Sequence, residues 1–105
     1  MEAGQQLTVM AQFRARPGAA DVVKAALAKV VAPTRGEAGN ISYDLYQATD
    51  DPTLFVLFEC WTGQDALDRH LEQPYIQHML SDVSGNLAEP YTGTPLTPID
   101  ARTRG

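Results

Sequence analysis

Apolar and polar residues alternate from Leu7 to Arg14, with Leu7, Val9, Ala11 and Phe13 on one face and Thr8, Met10, Gln12 and Arg14 on the other. A period of two predicts a strand with one apolar face. Arg16-Pro17-Gly18 breaks it, and beyond the break Val23, Leu27, Val30 and Val31 recur at helical spacing, with Pro17 near the start and Asp21 in the first turn. Pro33 is expected to end or kink this helix, because it lacks an amide donor and clashes with the carbonyl four residues back. Alternation returns from Asn40 to Gln47, setting Ile41, Tyr43 and Leu45 against Ser42, Asp44 and Tyr46. Asp50-Asp51-Pro52 is turn chemistry, so this strand and the next, Thr53 to Trp61, are expected to pair as an antiparallel hairpin. The later strand is apolar on both faces until its end. The chain has too few helices to cover both faces of a sheet, so a second sheet, from another subunit, is expected against the uncovered one.

After Trp61 the period changes from two to that of a helix. Thr62 with Asp65 approximates a capping box, and the helix it predicts carries Ala66, Leu67, His70 and Leu71 on one side. Pro74 interrupts it and opens a further helix with Ile76, Met79, Leu80, Val83 and Leu87 as its apolar set. Tyr91 to Ile99 is rich in β-formers but broken by Pro95 and Pro98, which suits a sheet edge or an arm crossing to a partner. The predicted order, β-α-β-β-α-α-β with an antiparallel sheet, is the ferredoxin-like α+β arrangement with its second helical unit split by a proline. One domain is expected over residues 7–99, with a flexible N-terminal tail at 1–6 and a C-terminal tail at 100–105.

Charge narrows the function classes. The net charge is -5, and the eight basic residues are scattered, which disfavours nucleic acid and anionic membrane as partners. No basic start leads into a long apolar segment, and no apolar run approaches the roughly 20 residues of a membrane span, so a cytoplasmic location is expected. Cys60 is the one cysteine and has no partner for an internal disulfide. No glycine-rich phosphate loop or dinucleotide fingerprint is present. Two histidines eight residues apart make no tidy ligand set, so neither a metal nor an organic cofactor is expected.

The candidate chemistry lies between Leu54 and Leu80. A strand delivering Glu59 and Trp61 beside a helix delivering His70 can wall a small apolar pocket with a few polar groups. His70 titrates near neutrality when unperturbed, and Trp61 offers an aromatic face and one indole donor. Each residue also has a plainer role: His70 as a buried histidine bonded to a backbone carbonyl, Trp61 as core, and Glu59 as half of a structural ion pair. His78 falls between the apolar positions of its helix and suits the surface or a pocket rim. Cys60 is expected to face away from Trp61, into the other side of the sheet.

Four stretches, LTVMAQFRARPG, EAGNISYDLYQ, FECW and ALDRHLEQPYIQHM, come in the order and at the spacing of a known family. They are spread from Leu7 to Met79, and the chain resembles the antibiotic biosynthesis monooxygenase family. The resemblance implies a dimeric α+β barrel: a homodimer in which two four-stranded sheets face one another, helices lie outside, and each subunit holds a pocket between sheet and helices. Some members oxygenate quinols or polycyclic phenols without metal or organic cofactor, some degrade haem, and one relative isomerises a phosphorylated signal. The expectation drawn from it is a cofactor-independent monooxygenase acting on a small quinol or polycyclic phenol with dioxygen. His70 would accept the proton, Glu59 would orient the imidazole or a substrate hydroxyl, and Trp61, Asn40, Tyr43 and Phe13 would form the wall. Two alternatives stay open: an isomerase using His70 and Glu59, with Arg14, Arg35 or Arg69 for a phosphate, and a non-catalytic dimer that binds a small aromatic. Haem degradation is disfavoured, because Phe13 stands where haem-degrading relatives carry an asparagine and His78 is offset from their ligand position.

Overall fold

The computed structural model describes residues 6–101. Of the two expected tails, residues 1–5 and 102–105 lie outside the described residues. Four strands, β1 (Leu7–Arg14), β2 (Asn40–Ala48), β3 (Asp51–Trp61) and β4 (Thr92–Leu96), form one sheet in the order β2-β3-β1-β4. Every neighbouring pair is antiparallel. The order is that of a ferredoxin-like α+β fold.

Alternation along the strands decides which face the helices cover. Val9, Ala11, Phe13, Tyr43, Phe55, Leu57 and Trp61 are all buried, and with Val23, Leu27, Ile76 and Val83 of the helices they make up the core. The opposite face carries Met10, Val56 and Phe58, with Phe58 40 % exposed and Tyr46 beside it 53 % exposed. These two rings meet edge to face at 6.1 Å. Cys60 lies on this second face, in reach of the Thr8 hydroxyl at 4.0 Å.

The helices are α1 (Ala20–Lys29), α2 (Val31–Arg35), α3 (Gln64–Leu71) and α4 (Pro74–Ser84). α1 starts after a tight turn in which Ala19 N donates to Arg16 O at 2.9 Å and Gly18 takes φ +84°. Proline then glycine at the central positions is what such a turn requires. α1 stops at Lys29, four residues ahead of Pro33, and the chain resumes as the short α2 with Pro33 in its first turn, where no amide donor is needed. The proline thus divides the helix in two and adds one helix to the expected order. The Thr62 capping box does not form: α3 starts at Gln64 with Gly63 at its N-cap and no side-chain cap. Thr62 is occupied elsewhere, its amide donating to Gly39 O at 2.9 Å. β4 pairs with β1 at the sheet edge, where Pro95 is tolerated. No helix among the described residues is long and apolar enough to cross a membrane.

Candidate functional site

The end of β3, the last turn of α3, the loop after α2 and the first turn of α4 meet at one corner of the core. β3 ends on Glu59 and Trp61, which are separated by two and so share a face with Tyr43, paired across from Glu59 on β2. α3 presents His70 to them. The imidazole centroid lies 4.6 Å from that of the Trp61 ring, tilted by 43°, and 5.5 Å from Tyr43. His70 is 2 % exposed, so its ring nitrogens need partners inside the protein.

Glu37 supplies one. Its Oε2 lies 3.0 Å from His70 Nδ1 and also accepts the hydroxyl of Tyr75, the second residue of α4. Glu37 reaches His70 because the loop after α2 is folded tightly: Glu37 N donates to Thr34 O at 3.0 Å and Asn40 N to Glu37 O at 3.2 Å. Gly39 permits this. It takes φ +89°, and a Cβ there would stand 2.5 Å from Ala66 Cβ and 2.9 Å from Thr62 Oγ1, so the loop lies directly on the start of α3.

The electrostatics follow from burial. Desolvation lowers the His70 pKa below the ordinary 6.5, against the pull of Glu37 in the other direction, and the imidazole is neutral at pH 7. An Nδ1-H donated to Glu37 leaves the lone pair on Nε2. Glu59 is 7 % exposed and accepts the Trp61 indole N-H at 3.1 Å. Burial pushes its carboxyl from 4.5 up to about 7, the indole bond opposes this, and the nearby Glu37 charge adds to it. Burial, then Glu59, raises the Tyr43 phenol, while burial and Glu37 raise that of Tyr75 to about 12. The buried Thr34 hydroxyl makes no hydrogen bond among the described residues. The corner therefore holds a neutral base, a carboxylate oxygen with two donors and a second carboxyl that changes charge near neutrality.

The structure brings His70, Trp61, Glu59 and Tyr43 together as expected neighbours, but not every candidate joins them. The imidazole is oriented by Glu37, where the sequence pointed to Glu59; the Glu59 carboxyl is taken by the Trp61 indole rather than by an arginine or lysine. Asn40 lies across from Trp61 in the sheet, but its amide donates to Ser42 O at 3.0 Å and Cys60 O at 3.4 Å, bridging a bulge in β2. Phe13 pairs with Phe55, six residues down β3 from Trp61 and so about 20 Å away. There it stacks on Tyr91 at 5.0 Å. Sequence reasoning missed Glu37 and Tyr75. The one signal for Glu37 was an acidic residue in a glycine-bracketed loop, Gly36-Glu37-Ala38-Gly39, a place where functional groups concentrate.

Next to this corner a cavity of about 270 Å³ opens between α1, α2 and α4, with Ala26, Val30, Met79 and Tyr75 among its walls. His78 lines it too, with Lys29 and Asp82. Arg14 and Arg35 are engaged elsewhere, with Asp51 and Asp44.

Comparison with known proteins agrees with this architecture. The sequence profile described as "Antibiotic biosynthesis monooxygenase" matches residues 6–82. The Mycobacterium tuberculosis protein named "Putative monooxygenase Rv0793" is 38% identical over 94 residues, 90% of this chain and 92% of that protein. Its solved structure superposes with a TM-score of 0.86 at 36% identity, covering 93% of this chain and 99% of that one. The crystal structure of PA3566 from Pseudomonas aeruginosa superposes with a TM-score of 0.88 at 30% identity, covering 95% and 100%. With a profile matched over most of its length, and relatives this similar end to end, the chain belongs to the antibiotic biosynthesis monooxygenase family.

Proposed function

We propose that the protein is a cofactor-independent monooxygenase that oxidises a small quinol or polycyclic phenol with dioxygen, using Nε2 of His70 as the proton acceptor. The observation that carries this is the buried, neutral imidazole whose other nitrogen lies 3.0 Å from the Glu37 carboxylate. Glu37 fixes the tautomer and stabilises the imidazolium that forms when Nε2 takes a proton, as an orienting carboxylate does in other nucleophile and base pairs. Trp61 gives an aromatic wall for a ring. Family membership and the monooxygenase name of the mycobacterial relative support the reaction class.

The chemistry balances without a resident oxidant. Loss of the phenol proton to His70 leaves a phenolate that passes one electron to dioxygen. The radical pair then combines at a ring carbon, and the peroxide takes back the proton held by His70 to form a hydroperoxide. Loss of water turns that C-H into a carbonyl, so one oxygen atom enters the product and the other leaves as water. The site has to exclude solvent while the radical pair exists, and the burial of His70 serves that end. The same account sets two copies together through the uncovered sheet face, as a homodimer.

A second reading draws on the burial of His70, only 2 % exposed: a binding dimer in which the imidazole is structural and nothing turns over. Of the three arginines available for the phosphate of an isomerase substrate, Arg14 and Arg35 are already paired with Asp51 and Asp44. Oxygen consumption by purified, metal-free protein with a panel of hydroquinones and anthrone-like phenols separates these. Uptake above the autoxidation rate that falls about 100-fold in His70→Gln is the expected result. Uptake at the autoxidation rate with the whole panel favours the binding dimer, and equal uptake by the variant rules out His70 as the base.

A further inference from the structure

Tyr75 belongs to two places at once. It lines the cavity of about 270 Å³, and its hydroxyl donates to Glu37 Oε2, the oxygen held 3.0 Å from His70 Nδ1. It sits immediately after Pro74, in the first turn of α4, and is only partly buried. The cavity is apolar over Ala26, Val30 and Met79, with His78 as a polar group on its wall. That volume is near the lower end for small-molecule sites and suits one or two fused rings.

A tyrosine side chain is itself a phenol. The cluster therefore already holds a phenolic hydroxyl on the carboxylate that orients its base, and the residue that carries it lines a cavity of aromatic size. We infer that this cavity is the binding site for a small phenol and that Tyr75 is its gate, the ligand hydroxyl replacing that of Tyr75 on Glu37 as the tyrosine ring swings aside. The exchange conserves hydrogen bonds: Oε2 loses one phenolic donor and gains another. An aromatic of the same size without a hydroxyl leaves that acceptor short of a donor, so the gate selects for phenols. The choice of ligand class rests on the oxygenase reading, whereas the place of binding rests on Tyr75 alone; Nδ1 and Nε2 point to opposite sides of the imidazole, so the hydroxyl held on Glu37 is an anchoring contact, distinct from the proton that Nε2 accepts.

The chain has two histidines, one lining the cavity and one beyond the gate, so their imidazole NMR signals report the two compartments separately. An anaerobic titration with 2-naphthol is expected to shift the His78 and His70 signals together, saturably and with one dissociation constant. Naphthalene is expected to leave His70 unmoved. Tyr75→Phe, which removes the internal competitor, is expected to bind 2-naphthol about tenfold tighter, and Ala26→Leu, which fills the cavity, about tenfold weaker. An unchanged His70 signal in ligand-free Ala26→Leu establishes that this variant keeps the fold. A titration that moves His78 alone, or neither histidine, overturns the gate, as does an affinity unaltered by Tyr75→Phe. Saturable binding with no oxygen uptake in air from any member of the phenol panel overturns the oxygenase and keeps the gate. Uptake indifferent to both substitutions keeps the oxygenase and overturns the gate.

Discussion

A single oxygen of Glu37 ties an imidazole from α3 to a phenol from α4, and the properties of the corner depend on it. Glu37→Gln keeps the size of the side chain but presents an amide that can donate to Nδ1, which moves the imidazole proton to Nε2 and removes the base. Its kcat for oxygen uptake is expected to fall about 100-fold, because the base is lost from the chemical step. Glu59 makes a different prediction, one about stability. Its carboxyl keeps its proton up to about 7 when folded and only to 4.5 when unfolded, so between those values the unfolded state binds fewer protons and stability falls as pH rises. Glu59→Gln removes that penalty. Urea melts should show no advantage for the variant near pH 4 and an advantage approaching about 3 kcal/mol near pH 8. His70 acts in the opposite sense: its lowered pKa costs stability as pH falls below 6.5, since the unfolded state then binds the extra proton.

At the scale of elements, the loop between α2 and β2 matters more than its length suggests. Gly39 is the contact point, and Gly39→Ala would combine a left-handed φ with a Cβ 2.5 Å from Ala66. A loss of about 3 kcal/mol in thermal or urea unfolding is expected, together with displacement of Glu37 from His70. The strands and the longer helices were legible in the sequence because burial on one face leaves a periodic trace, as in Val9, Ala11 and Phe13 or Ile76, Met79 and Val83. Pro33 was legible as a breaker, but not the short helix beyond it, which is too short to show a period. Thr62 misled because its cap pattern is a local signal, while the structure uses the residue in packing against Gly39. Glu37 left almost no trace: it sits in a loop without periodicity, and its partners are 33 and 38 residues away. Phe13 shares the face of the site residues, but position along the strand, which alternation does not reveal, sets it at the other end.

For the whole molecule, the ferredoxin-like fold follows from the order of elements, and the uncovered sheet face remains to be accounted for. Phe58 and Tyr46 lie 40 % and 53 % exposed on it, next to Met10 and Val56, and a second copy is the occupant that the family resemblance implies. Sedimentation equilibrium is expected to give a dimer, and Phe58→Arg to give a monomer that is less stable because it has lost its partner's cover. A monomeric wild-type protein would remove the facing-sheet arrangement. The central claim, that a neutral His70 accepts the substrate proton for direct reaction with dioxygen, is tested most directly by the pH profile of oxygen uptake on an anthrone-like phenol, with His70→Gln alongside. The account predicts a wild-type rate that rises to a plateau with a midpoint below 6.5, the range to which burial shifts the imidazole, and that is nearly absent in the variant. A variant that matches the wild-type rate and profile would contradict it.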